Sequence, residues 1–256
     1  MNPEVKSAAR TLELIEYLAR CAEPVSLKQI IAELGYPKSS AHGLAQTLVA
    51  RGYAIQDSSD RYLLVHGQRQ SATARAWQAR LLSAAHPVME ALRDRSGETV
   101  LLSVRAGDGG IKRLAKCVSR QPERYDTDLD GPAASYCTAM GRVLLAHWEP
   151  AAIEGYLART RLVAYTSFTV TDLARLREIL VRVREEGVAV NDQEFVPGAS
   201  GIAAPVHDGA GQVTAALNLG TPAARFHSRR EEIVGAVKQA AAEVDSRLGG
   251  PRRMAR

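Results

Sequence analysis

The strongest constraint in this chain is a helix stop followed almost at once by a helix start. Ser26 stands at a helix N-cap, with Gln29 in the capping-box position and Leu27, Ile30, Ile31 and Leu34 at apolar helical spacings. Gly35 supplies the C-terminal stop, and Pro37 stands where a first-turn proline is welcome. A further helix follows to Arg51, with Ala41, Leu44, Ala45 and Leu48 inward and Gly52 as terminator. A junction of only about two residues forces the helices to meet at a sharp angle, which leaves the second one projecting.

The flanking elements complete a pattern. Val5, Ala8, Leu12, Ile15 and Ala19 mark the inward face of a helix over residues 5–21. Two short strands, Tyr53–Gln56 and Arg61–Val65, flank the polar turn Asp57-Ser58-Ser59-Asp60. Helix, helix, tight turn, helix and hairpin describe a winged helix-turn-helix, whose third helix enters a DNA major groove. The outward positions of that helix are Lys38, Ser39, Ser40, His42, Gly43, Gln46 and Thr47. Gln pairs bidentately with adenine, and Ser or Thr reaches phosphates. The competing reading is an ordinary solvated helix face. Arg61 and Tyr62 on the wing, with Lys28 and Arg10, are expected at the flanking DNA backbone. The whole chain carries a net charge of +5. Residues 1–67, however, hold seven basic and seven acidic side chains, so a DNA footprint must come from sorting charge onto opposite faces.

Residues 68–96 are helical in composition, with Trp77, Leu81, Ala84, Val88 and Leu92 in one stripe. Pro87 predicts a kink or a break into two helices. This segment is either a plain linker or a dimer-forming helix, the latter favoured because the stripe must bury itself. Beyond Gly97 the periodicity changes. Strands are expected at Thr99–Arg105 and Ile111–Val118, around Ala106-Gly107-Asp108-Gly109-Gly110, and helices at 138–148 and 150–158. A helix begins at Asp172 and stops at Gly187. Strands follow at Val188–Asn191, Ile202–Val206 and Val213–Leu219, and a last helix spans 228–248. This predicts an α+β unit with an antiparallel sheet. The expected division is 1–67 for the DNA-binding domain, 68–96 for the linker helix region, 97–248 for the second domain and 249–256 for a disordered basic tail.

Other classes fit poorly. Hydrophobic residues make up 46% of the chain and aromatics 5%, so the cores are aliphatic. No apolar stretch reaches the roughly 20 residues of a membrane span, and residues 1–10 are too polar for a signal peptide, so a cytoplasmic protein is expected. Cys21, Cys117 and Cys137 form no metal-binding spacing, and reduced thiols are expected. No histidine pair has HExxH spacing, Gly198-Ala199-Ser200-Gly201 is not a nucleophile elbow, and there is no P-loop or dinucleotide fingerprint. Neither an enzyme nor a cofactor or metal site is expected. A DNA-binding architectural protein with a ligand-free second domain stays open as an alternative.

Several segments resemble one family in order and spacing. Ala8-Ala9-Arg10-Thr11-Leu12-Glu13-Leu14 and Gly35-Tyr36-Pro37-Lys38-Ser39-Ser40 are similar to the opening helix and recognition turn of the isocitrate-lyase-regulator (IclR) family of bacterial transcription factors. Thr138-Ala139-Met140-Gly141-Arg142-Val143-Leu144-Leu145-Ala146, the run from Val181 to Glu194, and Gly201-Ile202-Ala203-Ala204-Pro205-Val206 resemble three further family segments. The resemblance covers residues 6–248. It implies an N-terminal winged helix-turn-helix with a GAF-like α/β effector domain. It also implies homodimers or tetramers, a double-stranded DNA operator and a small carboxylate or aromatic effector, closest to the regulators of aromatic-acid breakdown. It places Ala139, Met140, Asn191, Gly201, Asn218 and Gly220 at the effector pocket, with Cys137 and Thr138 flanking. Each has an ordinary alternative: Asn218 as a satisfied strand-edge amide, Met140 as core filler. Three positions depart from the family pattern: Gly43 replaces a large basic residue, Arg142 a lysine and Ser200 an arginine.

Overall fold

A computed structural model describes residues 5–21, 23–65, 72–106, 110–131 and 133–249. The expected tail at 249–256 falls beyond these except for Gly249, and the turn at 107–109 also lies outside them. The chain divides into two compact units at Pro87/Val88.

The first unit contains α1 (Lys6–Arg20), β1 (Val25–Ser26), α2 (Leu27–Leu34), α3 (Lys38–Ala50), β2 (Ala54–Gln56) and β3 (Arg61–Leu64). Ser26 and Gln29 form the capping box: the Ser26 hydroxyl accepts from Gln29 N at 3.3 Å, and Ser26 N donates to Gln29 Oε1 at 2.8 Å. Gly35 ends α2 at φ +67°, a left-handed value that suits glycine. Pro37 is the N-cap of α3 and not its first helical residue. The wing has three strands in the order β1-β3-β2, one more than the hairpin expected, because Val25 pairs with Tyr62.

The face of α1 differs from expectation. Leu14 and Leu18 are its buried residues, packed with Ile30, Ala41, Ala45, Leu48 and Tyr62. Val5 and Leu12 are 66% and 60% exposed. Two apolar stripes compete on this helix. The one carrying Leu14 and Leu18 wins, each buried leucine contributing about 1.5–3 kcal/mol of transfer free energy.

α4 (Ala72–Ser96) runs through Pro87 as one helix and stops at Gly97, φ +78°. The break into two helices is not realised. Leu81, Val88 and Leu92 are buried within the single chain, so their burial needs no second copy.

The second unit is built on a five-stranded antiparallel sheet. Its strands are β4 (Thr99–Arg105), β5 (Ile111–Cys117), β6 (Ala189–Asp192), β7 (Ala199–His207) and β8 (Val213–Pro222), in the order β5-β4-β8-β7-β6. The helices are α5 (Ala139–Ala146), α6 (Pro150–Arg159), α7 (Leu173–Glu186), α8 (Ala223–Ser228) and α9 (Arg230–Leu248). Asp172 caps α7 through its carboxylate on Arg175 N at 2.7 Å, and Gly187 ends it at φ +65°. α9 packs on β7 and β8, while α5 packs on β7 and β8 and on α7. Alternation along the strands sorts the faces. Leu101, Ala189, Ala203 and Ala216 share a core with α5, and Val100, Ile202 and Leu219 point the other way. Every residue of α5 is buried, including Arg142 among its otherwise apolar side chains. The architecture is α+β with an antiparallel sheet. The last helix expected over 228–248 is α9, and the short α8 that precedes it is an addition to the expected elements.

Candidate functional site

On α3 Lys38, Ser39, His42 and Thr47 are exposed, as is Ala50 at its end, with Ser40 half-buried. Gly43 is exposed too, and a Cβ there would meet nothing within 4 Å. Lys28 is exposed on α2. Two residues expected to face DNA are committed inward. Tyr62 is 2% exposed, so its ring forms part of the core and does not reach a flanking phosphate. Gln46 is half-buried: its amide donates to Gln56 Oε1 at 2.8 Å and to the Tyr62 hydroxyl at 3.3 Å. The amide expected to pair with adenine is thus a latch between α3 and the wing. Thr47 bonds back to Gly43 O at 2.7 Å. Arg61 pairs with Asp57 at 2.8 Å, and Arg10 lies over the Tyr36 ring, which also bonds Glu13.

In the second unit, the cavity begins with three small residues in adjoining strands. Asn191, Gly201 and Gly220 form one row across β6, β7 and β8, and Ala203 pairs with Asn218 in the next row on that face. Two glycines side by side lower the floor of the sheet. A Cβ on Gly220 would overlap the Tyr125 ring, and one on Gly201 would come within 3.4 Å of Asn218 Oδ1 and 3.7 Å of the Ala139 Cβ. Tyr125 therefore lies on the sheet, and the start of α5 closes over Gly201. Gly141 has a related role: a Cβ there would collide with the Ser135 backbone, so the segment leading into α5 folds directly against the helix. Thr138 caps α5, accepting from Gly141 N at 3.3 Å.

These elements enclose one cavity whose wall includes Ala139, Met140, Asn191, Gly201, Asn218 and Gly220 together. Thr138 also lines it, whereas Cys137 is fully buried in the adjoining core. Asn218 is not a satisfied strand-edge amide. It is 2% exposed, faces the cavity, and its side chain makes no hydrogen bond among the described residues. An amide that faces the cavity with no protein partner is available to hydrogen-bond a bound ligand.

The wall holds residues that sequence reasoning missed. Arg113 of β5 is 2% exposed and lines the cavity, donating from Nη1 to Asp128 O at 3.0 Å and Gly131 O at 2.9 Å. Burial pulls its pKa below the ordinary arginine value. Tyr125, Phe195 and Val196 complete the wall, with Ser200 at its edge. Arg113 is one of three cations in β5, with Lys112 and Lys116, so its charge alone does not single it out. Nothing in its spacing tells which face it takes.

Ser200, Asp192 and His227 form a chain of contacts: Ser200 Oγ donates to Asp192 Oδ1 at 2.8 Å, and His227 Nε2 lies 2.7 Å from Asp192 Oδ2. Burial raises the Asp192 pKa, but the hydrogen bonds from His227 and Ser200 outweigh it and hold the carboxyl below its usual range. The carboxylate stands between serine and imidazole, which is not the serine–imidazole–carboxylate order of a nucleophilic triad. Among the described residues no cluster of three or more His, Cys, Asp or Glu side chains could hold a metal, and no helix is long and apolar enough to cross a membrane.

Comparison with known proteins adds the following. Residues 7–58 match the IclR helix-turn-helix domain, and residues 74–246 match the domain described as bacterial transcriptional regulator IclR C-terminal. The chain is 30% identical to the HTH-type transcriptional regulator BhcR of Paracoccus denitrificans, over 94% of this chain and 86% of that one. It is also 30% identical to the Pca regulon regulatory protein of Pseudomonas putida, over 86% and 75%. An IclR homolog from Microbacterium hydrocarbonoxydans, solved in complex with 4-hydroxybenzoate, shares the fold at a TM-score of 0.61 and 23% identity, over 95% of this chain and 99% of that one.

Proposed function

We infer the function from one premise: the chain belongs to the IclR family of bacterial transcriptional regulators. It binds a DNA operator through the helix-turn-helix unit, and a small organic acid in the cavity of the second unit controls that binding. One observation carries the reading. Six residues separated by up to 81 positions in sequence, Ala139 to Gly220, with the Asn218 amide among them, line a single cavity that also holds a buried arginine.

The chemistry of that wall favours an acid. A carboxylate desolvated in an apolar pocket needs charge and hydrogen bonds in return. Arg113 supplies the charge and the planar donor fork, the free N–H groups of Ala139 and Met140 add the positive end of α5, and the Asn218 amide orients the rest of the molecule. An aromatic acid is the preferred class, supported by the 4-hydroxybenzoate bound to the Microbacterium homolog and by the Pca regulon relative. On the DNA side, Lys38, Ser39, Ser40 and His42 meet the major groove, with Thr47, Lys28 and Arg61 toward the backbone. The chain acts as a homodimer or a tetramer on a pseudo-palindromic operator, in the cytoplasm, without enzymatic turnover. To move the DNA-binding population from 1:99 to 99:1, the acid must prefer one state by roughly 5.5 kcal/mol.

The test is a pair of variants. Asn218→Leu and Arg113→Met should each abolish the effect of the acid on operator binding while leaving operator affinity in its absence unchanged. A response that survives both substitutions would place the effector elsewhere.

A further inference from the structure

The cavity is too small for the ligand class just assigned to it. It offers about 30 Å³ to the centres of water molecules. At roughly 10–15 Å³ per water that is room for about two. Pockets that hold drug-sized organic molecules run to roughly 300–1,000 Å³. Next to it lies an open groove of about 510 Å³ on the same measure, rimmed by Glu123, Arg124 and Asp126. The two share a wall made of Tyr125, Phe195, Val196 and Ala199.

Only part of that wall is free to move. Ala199 is a strand residue paired with Pro222. The Tyr125 ring lies on the Gly220 backbone, and its carbonyl accepts from Thr99 Oγ1. Phe195 and Val196 belong to the connection between β6 and β7, which is pinned at both ends. At the near end Glu194 is held by Arg142, and its N–H donates to Asn191 Oδ1 at 2.8 Å. At the far end Gly198 N donates to Gln193 Oε1 at 3.2 Å, and Gln193 N donates to Ala199 O at 3.0 Å. Between the pins, Phe195 rests edge-on against Tyr165 with centroids 4.8 Å apart, and Val196 is 38% exposed. Moving these two side chains gives up the packing of Phe195 on the core and one ring contact, the latter worth about 0.5–1.5 kcal/mol beyond its area, and breaks no side-chain hydrogen bond among the described residues.

We propose that Phe195 and Val196 form a removable partition, and that the effector occupies both chambers once they swing aside. The acid head lies inward, toward Arg113 and Asn218. The body takes the space where Phe195 and Val196 stand and extends into the groove. This rests on the effector reading above and narrows it: the ligand is an acid with a body the size of an aromatic ring, not a two- or three-carbon acid. The pins at Glu194 and Gly198 keep the backbone in place while the side chains move, so Phe195 sets both the rate of entry and the size of ligand admitted.

Stopped-flow binding to the full chain tests this with 4-hydroxybenzoate, benzoate and pyruvate as probes. The variants are Phe195→Ala, Phe195→Leu and Val196→Ala, each checked for an unchanged melting profile; Phe195→Leu keeps most of the bulk should the alanine variant misfold. In the wild type a ring-sized acid binds and pyruvate does not. Removing the partition raises the association rate of the ring-sized acid about tenfold in Phe195→Ala, with Phe195→Leu intermediate, because entry no longer waits for a conformational step. An association rate that stays within about twofold across all variants, with Asn218→Leu still abolishing binding, overturns the partition and spares the effector site. Tight pyruvate binding to the wild type also overturns it. A folded protein that binds none of the three acids, in any variant, overturns the effector reading and the partition together.

Discussion

Arg142 grips Glu194 with both arms of its guanidinium, the Nη2–Oε2 arm at 2.6 Å, and so ties the buried helix α5 to the loop that walls the cavity. Its Nε also donates to Tyr136 O at 2.8 Å, and Nη1 reaches Val190 O at 3.3 Å. The side chains are 2% and 10% exposed. This geometry gives a physical reason for arginine at a position where the resembled pattern has lysine: a single ammonium cannot serve a two-pronged carboxylate and two carbonyls on different sides. Breaking a buried pair strands the surviving charge. Arg142→Met or Glu194→Gln should therefore cost about 3–5 kcal/mol in urea unfolding, and replacing both residues by apolar ones should recover part of the loss. A single substitution with no effect on stability would mean that the pair is not held as described.

Gln46 gives a second prediction, because its amide is spent on Gln56 and Tyr62. Gln46→Ala should lower stability by about 1 kcal/mol and weaken matched and mismatched operators alike. A base-reading glutamine behaves otherwise, losing about 1–3 kcal/mol of discrimination at one base pair. Binding to a set of singly substituted operators separates the two outcomes.

Burial pushes the Cys137 thiol up to about 12 and the Tyr136 phenol up to about 12. In an unfolded chain these groups ionise near 8.5 and 10. Each raised value means that the folded state holds its proton longer. The contribution to stability is whole below the unfolded pKa and is lost as pH climbs through about 9 to 12. Thermal melts should fall across that window, and Cys137→Ala should flatten the fall. At pH 8, Ellman's reagent should label the partly exposed Cys21 in the native protein and leave Cys137 until unfolding.

Much of the fold was legible because its signals are local. The Ser26 capping box, Asp172 and the left-handed glycines at 35 and 187 mark element ends through bonds within a few residues. The misreadings arise where the decision is not local. α1 carries two apolar stripes, and only the packing of Leu14 and Leu18 against α2 and α3 decides which is buried. β1 is two residues long and exists because Val25 finds Tyr62 across the wing, the same burial that removes Tyr62 from any DNA contact. The cavity residues were named from family resemblance, not from periodicity. Arg113 reaches them only through the strand order β5-β4-β8-β7-β6, and a single sequence carries no record of which strands lie side by side.

The most direct test of acid-controlled DNA binding is fluorescence anisotropy of the full chain on DNA from upstream of its own gene. It is run at fixed salt, with and without a panel of aromatic and aliphatic carboxylates. The account predicts sequence-specific binding that shifts with a ring-sized acid in the wild type and does not shift in Asn218→Leu. Specific binding that no acid in the panel alters, or an acid response unchanged by Asn218→Leu, would contradict it.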